Sequence, residues 1–590
     1  RWEQATAFPA AIALAASWNV DMAERFGVAI GREWKNKGRH MWLGPGMNII
    51  RIPQNGRNFE YYSEDPYLAS RMAAASVRGA QSEGIIATPK HYVANNQEHE
   101  RYSINVQASE RALREIYFPA FRAAVTEGGA WAVMAAYNRV NGTYCTENRW
   151  LLQDVLKGEW GFRGLVVSDW GASHSTVGTA NNGLDLEMDG SDPVGAYWGQ
   201  GKLKDAVKRG QVSESTVDDK VRRILRAMFS TKVLSEPHPA PGLQMTEHWT
   251  LAREIAQEGI VLLKNDGGLL PLDKHASQTL ALIGPNLAEA RTGGGGSSRV
   301  TPYRAVSPLE GIRAAVGPEV RLLEVPGLLL GDGTIPAVDP SFLPRFENQH
   351  GLVGEYYTNM ALEGIPARKR YDDTIDFDWG AGSPFAGFPA DRFSARWKGW
   401  LRVPESGTYL LGTLSDDGVR VYLDGELIID NWTDHAATLD QVERYLKVGH
   451  DYALKVQYYE NGGDALIRFG CLRADVLDDA VEAASQADTV LLFVGLSAEL
   501  EGEGWDRATM DLPPRQMELI QQVSAVNPQT VVVVIAGSQV GMETWVDEVP
   551  AILQAWYPGQ EGGHAIADIL FGDVIPSRKL PMTFVRRWED

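Results

Sequence analysis

Leu165-Val166-Val167-Ser168-Asp169-Trp170-Gly171 is an apolar run that stops on a carboxylate. A short apolar run closed by glycine predicts a buried strand, and Asp169 then stands at its carboxyl end. An acidic side chain there is costly to desolvate unless something uses it. Catalytic groups of β/α barrels sit at this end of the strands.

Outward from this run, strands are predicted at 46–52, 84–88, 131–137 and 184–188, each ending in polar or glycine-rich residues. Helices are predicted between them at 66–83, 109–127 and 148–158, and a helical stretch at 214–234 closes the region. This alternation over residues 1–234 predicts a TIM-like β/α barrel as the catalytic domain. Residues 235–245, proline-rich from Ser235 to Gly242, predict a linker.

A second α/β region follows at 246–344 and 473–590, where a sandwich of sheet and helices is expected. Its strands are predicted near 279–284, 320–325, 489–495, 530–536 and 551–556, and its helices near 246–259, 475–486 and 513–526. Between 345 and 472 the character changes to aromatics, glycine and short alternating runs, such as Val419-Arg420-Val421-Tyr422-Leu423. Turn signals at Asp416-Asp417-Gly418 and Asp424-Gly425 separate them. That pattern predicts an antiparallel β-sandwich inserted into the α/β domain. The expected class is therefore α/β multidomain, a barrel plus an interrupted α/β sandwich.

A chain of 590 residues exceeds a single core. Its net charge of −20 disfavours nucleic acid and anionic membrane and suits a neutral substrate. Cys145 and Cys471 are too few for a disulfide framework, and no Cys/His cluster has zinc spacing. No apolar stretch reaches the roughly 18 residues of a membrane span. Arg1-Trp2-Glu3-Gln4 is not a signal peptide. Neither a cofactor nor a catalytic metal is expected, and low cysteine fits cytoplasm and periplasm alike.

Candidate chemistry gathers at predicted strand ends. Lys90 and His91 follow the run 84–89, Arg101 lies on the same loop, and Arg57 sits in Gly56-Arg57-Asn58-Phe59-Glu60. Such cations would keep a nucleophilic carboxylate ionised and orient polar hydroxyls. Glu503 offers a second acid in Gly502-Glu503-Gly504-Trp505-Asp506-Arg507. Two carboxylates from distant segments are the apparatus of glycosidic bond cleavage. As a general acid Glu503 should have a raised pKa, with the charge of Asp169 as the cause. The plain alternatives are an N-cap or a structural salt bridge for Asp169 and a surface pair with Arg507 for Glu503. Gly293-Gly294-Gly295-Gly296-Ser297-Ser298 lacks the lysine of a phosphate loop, so a flexible loop over a pocket is expected instead.

Five motifs in order, GRNFEYYSEDP (56–66), KHYVANNQEHER (90–101), AYNRVNG (136–142), LVVSDWG (165–171) and GEGWDR (502–507), resemble glycoside hydrolase family 3, in its β-glucosidase branch. The segment 559–584 is similar as well. The resemblance implies Asp169 as nucleophile and Glu503 as acid/base. It implies a sugar subsite of Arg57, Lys90, His91, Arg101, Tyr137, Trp170 and Ser297, with Ser298 as the alternative register, and gives no role to Asp192. The insert resembles the protective-antigen-14 type β-sandwich through GLVGEYY (351–357) and SDDGVRVYLDG (415–425). Some adhesins of that type hold calcium on a paired aspartate, for which Asp416-Asp417 is the match, a turn being the alternative.

The family's amino-terminal Asp-Gly-Pro segment has no counterpart here, so a barrel truncated at its amino end is expected. A bare strand edge would favour pairing with another chain, so a homo-oligomer is compatible with the sequence. The expected activity is retaining exo-β-glucosidase action on a small carbohydrate. β-Xylosidase or mixed glycosidase activity is the near alternative, and a non-catalytic carbohydrate-binding protein the distant one.

Overall fold

In the computed structural model, which describes residues 4–188, 196–231, 233, 246–326, 335–346, 350–474 and 476–590, Leu165–Ser168 is a strand with all four residues buried. It pairs in parallel with Ala132–Ala135, and Met41–Trp42 pairs in parallel with Ile86–Ala87. Single parallel bridges, Gly46 to Lys90, Tyr92 to Ala135 and Val167 to Leu186, join these segments side by side. The row therefore runs in chain order, as βα units with parallel neighbours require. The predicted linker and Asp192 lie outside the described residues.

The expected strand at 46–52 is corrected. Pairing is confined to Met41–Trp42 and Gly46, with Gly44-Pro45 between. Beyond them the Asn48 side chain bonds the backbone of His91 in both directions, at 2.9 and 2.7 Å, where a ladder would otherwise run. Ile49 and Ile50 are buried, so the apolar signal there was core rather than strand. The helix expected at 109–127 is broken. Leu113–Tyr117 forms a wide turn before Pro119–Thr126, because Pro119 has no N–H to continue the ladder. Val20–Asn36, not predicted, is a helix capped by Asn19, whose Oδ1 accepts the Met22 N–H at 3.1 Å.

The chain forms two compact units, Arg1–Pro326 with Ala484–Asp590, and Gly327–Ala483. Within the first, a six-stranded sheet runs in the order Val320–Pro326, Gln278–Gly284, Thr489–Gly495, Thr530–Ile535, Ala551–Gln554, Val261–Asn265. Its neighbours are parallel except the last, an antiparallel edge strand that the sequence did not suggest. The fully buried runs TVLLFVG and TVVVVI sit mid-sheet, as strands covered on both faces should. The amino-terminal segments are stitched to this sheet region: Ala10 N–H donates to Tyr557 O at 3.0 Å and Arg507 N–H to Gln54 O at 2.8 Å.

The second unit holds a six-stranded and a four-stranded sheet whose pairings are all antiparallel. Phe393–Leu401 alternates buried and half-buried positions, and Trp397, Tyr409, Tyr458 and Phe469 meet in one core. Val338 belongs to that core and donates to Phe469 O at 2.8 Å, which draws residues before 345 into the unit.

Candidate active site

Asp169 leaves the end of its strand with its backbone N–H donating to Ala135 O at 3.1 Å, so the neighbouring strand fixes its origin. Its side chain is buried, and Oδ1 accepts the Trp170 N–H at 2.9 Å. His91 Nε2 lies 3.5 Å from Oδ2. Burial raises the Asp169 pKa above the ordinary carboxylate range, against the pull of Lys90 and Arg57. The expected lowering is thus corrected: desolvation outweighs the cations. His91 is pushed well below the usual imidazole range by burial, with Arg57, Lys90 and Arg101 adding to it, so it is neutral. Half-buried Lys90 is lowered by desolvation, which Glu60, Asp169 and Glu503 oppose.

Glu503 arrives from the other end of the chain. Its Oε1 accepts from Arg57 Nη1 at 3.2 Å and from Arg101 Nη1 at 3.0 Å, and its Oε2 accepts the Ser297 N–H at 2.8 Å. The predicted raised pKa is corrected here. Burial does push it up, but Arg57, Ser297 and Arg101 together bring it down to about 2. Asp169 and Glu503 therefore answer to the same Arg57 guanidinium, and the ammonium of Lys90 is stabilised by both.

Arg507 does not pair with Glu503. Its Nη2 donates to the carbonyls of Pro53 and Gln539, both at 2.7 Å, and it braces the loop from beneath. Asp506 clasps the other side, its carboxylate accepting the N–H groups of Gly56 and Glu98 at 3.0 Å and of His99 at 2.9 Å. The fit is tight: a Cβ on Gly56 would stand 1.9 Å from Trp505 O. Of the glycine run, Gly294, Gly295 and Gly296 are closely packed, while a Cβ on Gly293 would meet nothing within 4 Å. Gly295 N–H donates to Glu501 O at 2.9 Å, Glu503 N–H donates to Gly295 O at 3.1 Å, and a Cβ on Gly296 would meet Glu503 Cβ at 2.3 Å.

Arg57 is fully buried and held by Glu60 through two parallel bonds, at 3.0 and 2.7 Å. Arg101 lies over the rings of Tyr137 and Tyr102, 4.8 and 5.0 Å from their centroids. Tyr137 is buried, and its hydroxyl is raised above its usual range by burial and then by Asp169. Trp170 and Trp505 are each 40% exposed, which leaves indole surface open on both carboxylate-bearing segments. The structure thus gathers Arg57, Lys90, His91, Arg101, Tyr137 and Ser297 around the two acids, with Trp170 beside Asp169.

Glu60, Glu98 and Asp506 were not singled out from sequence. Glu60 and Glu98 each stand three residues from the arginine they bind, within one motif, a spacing that could have found them, whereas the backbone partners of Asp506 are distant in sequence. A cavity of about 560 Å³ between the helices 20–36 and 246–259 contains none of the predicted site residues. In the second unit Asp416, Asp417 and Glu460 bring carboxylate oxygens within 4.8 Å of one another. Both Asp417 oxygens already accept backbone N–H groups, of His435 at 3.0 Å and Asn461 at 2.8 Å, and burial raises Glu460 to about 7.

Residues 1–227 match the glycosyl hydrolase family 3 N terminal domain, and residues 260–590 match the glycosyl hydrolase family 3 C-terminal domain. A β-glucosidase of Rhizobium radiobacter is 41% identical over 99% of this chain and 72% of its own length. A probable β-glucosidase K of Emericella nidulans is 37% identical over 100% of this chain and 72% of its own. The solved β-glucosidase of Kluyveromyces marxianus in complex with glucose superposes with a TM-score of 0.81 at 32% identity, over 99% of this chain and 72% of that one. Two domain matches in the right order, and relatives alike over nearly all of this chain and about 72% of their own length, place this chain in glycosyl hydrolase family 3.

Proposed function

We propose that this chain is a β-glucosidase that removes terminal β-D-glucosyl residues from short saccharides or aryl and alkyl glucosides with retention of configuration. The observation that carries the reading is the shared guanidinium. Arg57 bonds Glu503 and pulls on Asp169, and His91, from the loop that also brings Arg101 to Glu503, lies 3.5 Å from Asp169. The relatives, β-glucosidases by name, support glucose as the sugar.

In this reading Asp169 attacks the anomeric carbon while Glu503 gives its proton to the departing oxygen. Water, deprotonated by Glu503, then releases glucose from Asp169. Such double displacement works with carboxyl groups about 5–5.5 Å apart. Sugar hydroxyls would occupy Arg57, Lys90, His91, Arg101, Tyr137 and the Ser297 region, and Trp170 would flank the ring. Arg57, the Ser297 N–H and Arg101 favour the Glu503 anion, so its work as an acid requires the sugar to draw the Arg57 and Arg101 donors away from it. Hydroxyls donating to Asp169 would in turn favour its anion. The binding step is thus asked to set both protonation states.

The parallel row of the amino-terminal segments is best understood as part of a TIM-like barrel, and the paired antiparallel sheets of the second unit as a protective-antigen-14 type β-sandwich. Proton NMR of the first glucose released from an aryl β-glucoside tests the mechanism: β-glucose is expected first, and α-glucose first would exclude the covalent intermediate. Aryl xyloside turned over faster than aryl glucoside would transfer the chain to the xylosidase alternative.

A further inference from the structure

Glu503 is the middle member of a row of alternating charges, Glu60, Arg57, Glu503, Arg101, Glu98. The two ends of the row differ. Glu60 spends both oxygens on Arg57. Glu98 uses only Oε2, which accepts from Arg101 Nη1 at 2.6 Å and from the Gly504 N–H at 2.9 Å. That Nη1 is the same nitrogen that reaches Glu503 at 3.0 Å, so two carboxylates divide one donor group. The Gly504 peptide is the one that follows Glu503. Glu98 Oε1 is buried without a hydrogen-bond partner among the described residues, on a residue only 2% exposed. An anchor with no other task would be satisfied as Glu60 is, because an unmet buried oxygen is expensive.

We propose that Glu98 is a positioning residue that sets the acid strength of Glu503, by drawing Arg101 partly away from it and by holding the Gly504 peptide. The proposal rests on the reading of Glu503 as acid/base. Burial raises Glu98 above the usual carboxylate range, against the pull of Arg57 and Arg101. In the first step the proton passes from the Glu503 carboxyl to the glycosidic oxygen as the C–O bond breaks. Glu98 exchanges no proton. If Glu98 loses its charge, Arg101 turns wholly to Glu503, stabilises its anion and weakens it as a donor.

The experiment compares kcat/KM for ethyl β-D-glucoside, whose leaving group needs protonation, with 2,4-dinitrophenyl β-D-glucoside, whose leaving group does not. Glu98→Gln is expected to lose ~10–100-fold on the ethyl glucoside and under ~3-fold on the dinitrophenyl glucoside. Equal losses on both, or no loss on either, overturn the proposal, since a structural anchor does not discriminate leaving groups. Glu503→Gln is the control and should show the same selectivity at larger size. An unselective Glu503→Gln would sink the acid/base reading itself, whereas a selective Glu503→Gln beside an unselective Glu98→Gln sinks only the role of Glu98. Glu98→Asp keeps the charge but withdraws it from Arg101, so a smaller selective loss is expected. It carries the test if circular dichroism shows Glu98→Gln unfolded, and an unselective loss there is equally fatal.

Discussion

Asp169 ends a strand buried along its whole length and takes its position from the backbone of the adjoining strand, whereas Glu503 rides a glycine-flanked loop and takes its position from side chains and peptides far away in sequence. Their charge settings diverge with their supports. Desolvation dominates at Asp169 and raises its pKa, while two guanidinium groups and the Ser297 N–H dominate at Glu503 and lower its own to about 2. A carboxylate on a rigid strand end can stay in a dry place. One on a loop needs counter-charges to hold it, and those same counter-charges fix its proton affinity.

The largest effect that would break this contrast is at the strand end. Asp169→Asn should lower kcat/KM by ~10⁴-fold or more with thermal unfolding unchanged, measured on an aryl glucoside. Near-normal turnover would remove Asp169 from the chemistry. At the loop, Gly56→Ala should cost ~100-fold in kcat/KM, because its Cβ would collide with Trp505 O and push Glu503 off its mark. Unchanged kinetics would mean that Glu503 tolerates displacement and is not held by close packing.

Asp506→Ala should be milder for the chemistry and clearer for stability. Three backbone donors lose a charged acceptor, so denaturant unfolding should report a loss of about 2 kcal/mol, with kcat/KM down ~10-fold. A loss confined to stability would separate the clasp from the positioning of Glu503. The smallest effect lies in the pH dependence of stability. The folded pKa of Glu503 is depressed from 4.5 to about 2, so its stabilisation is complete above pH 4.5 and disappears as pH falls through about 2. The difference in Tm between the wild-type chain and Glu503→Gln should therefore shrink over that interval. A constant difference would show that Glu503 is not held as an anion.

Much of the site was legible because its residues end predicted strands or sit in motifs with strong spacing. Asp169 closes LVVSDWG, and Lys90 and His91 follow an apolar run. The strands at 489–495 and 530–535 were visible as long, β-branched apolar runs, and 551–554 as a shorter apolar one. The edge strand 261–265 was not, since its short run follows directly on the helix 246–259. The helix at 20–36 was legible as an amphipathic run behind an Asn19 cap, although it was not predicted.

Residue types, their order and the local runs determined that this chain carries two separated carboxylates, a set of cations and a change to antiparallel sheet in its middle. Only the tertiary structure decided that Glu503 bonds Arg57 and Arg101 rather than Arg507, that Asp506 clasps three distant peptides, and that Gly294, Gly295 and Gly296 are closely packed. It also reversed the expected directions of both pKa shifts. The physical reason is common to all of these: periodicity is a property of neighbours along the chain, but desolvation and Coulomb energy depend on distances in space, which are fixed only when the segments meet.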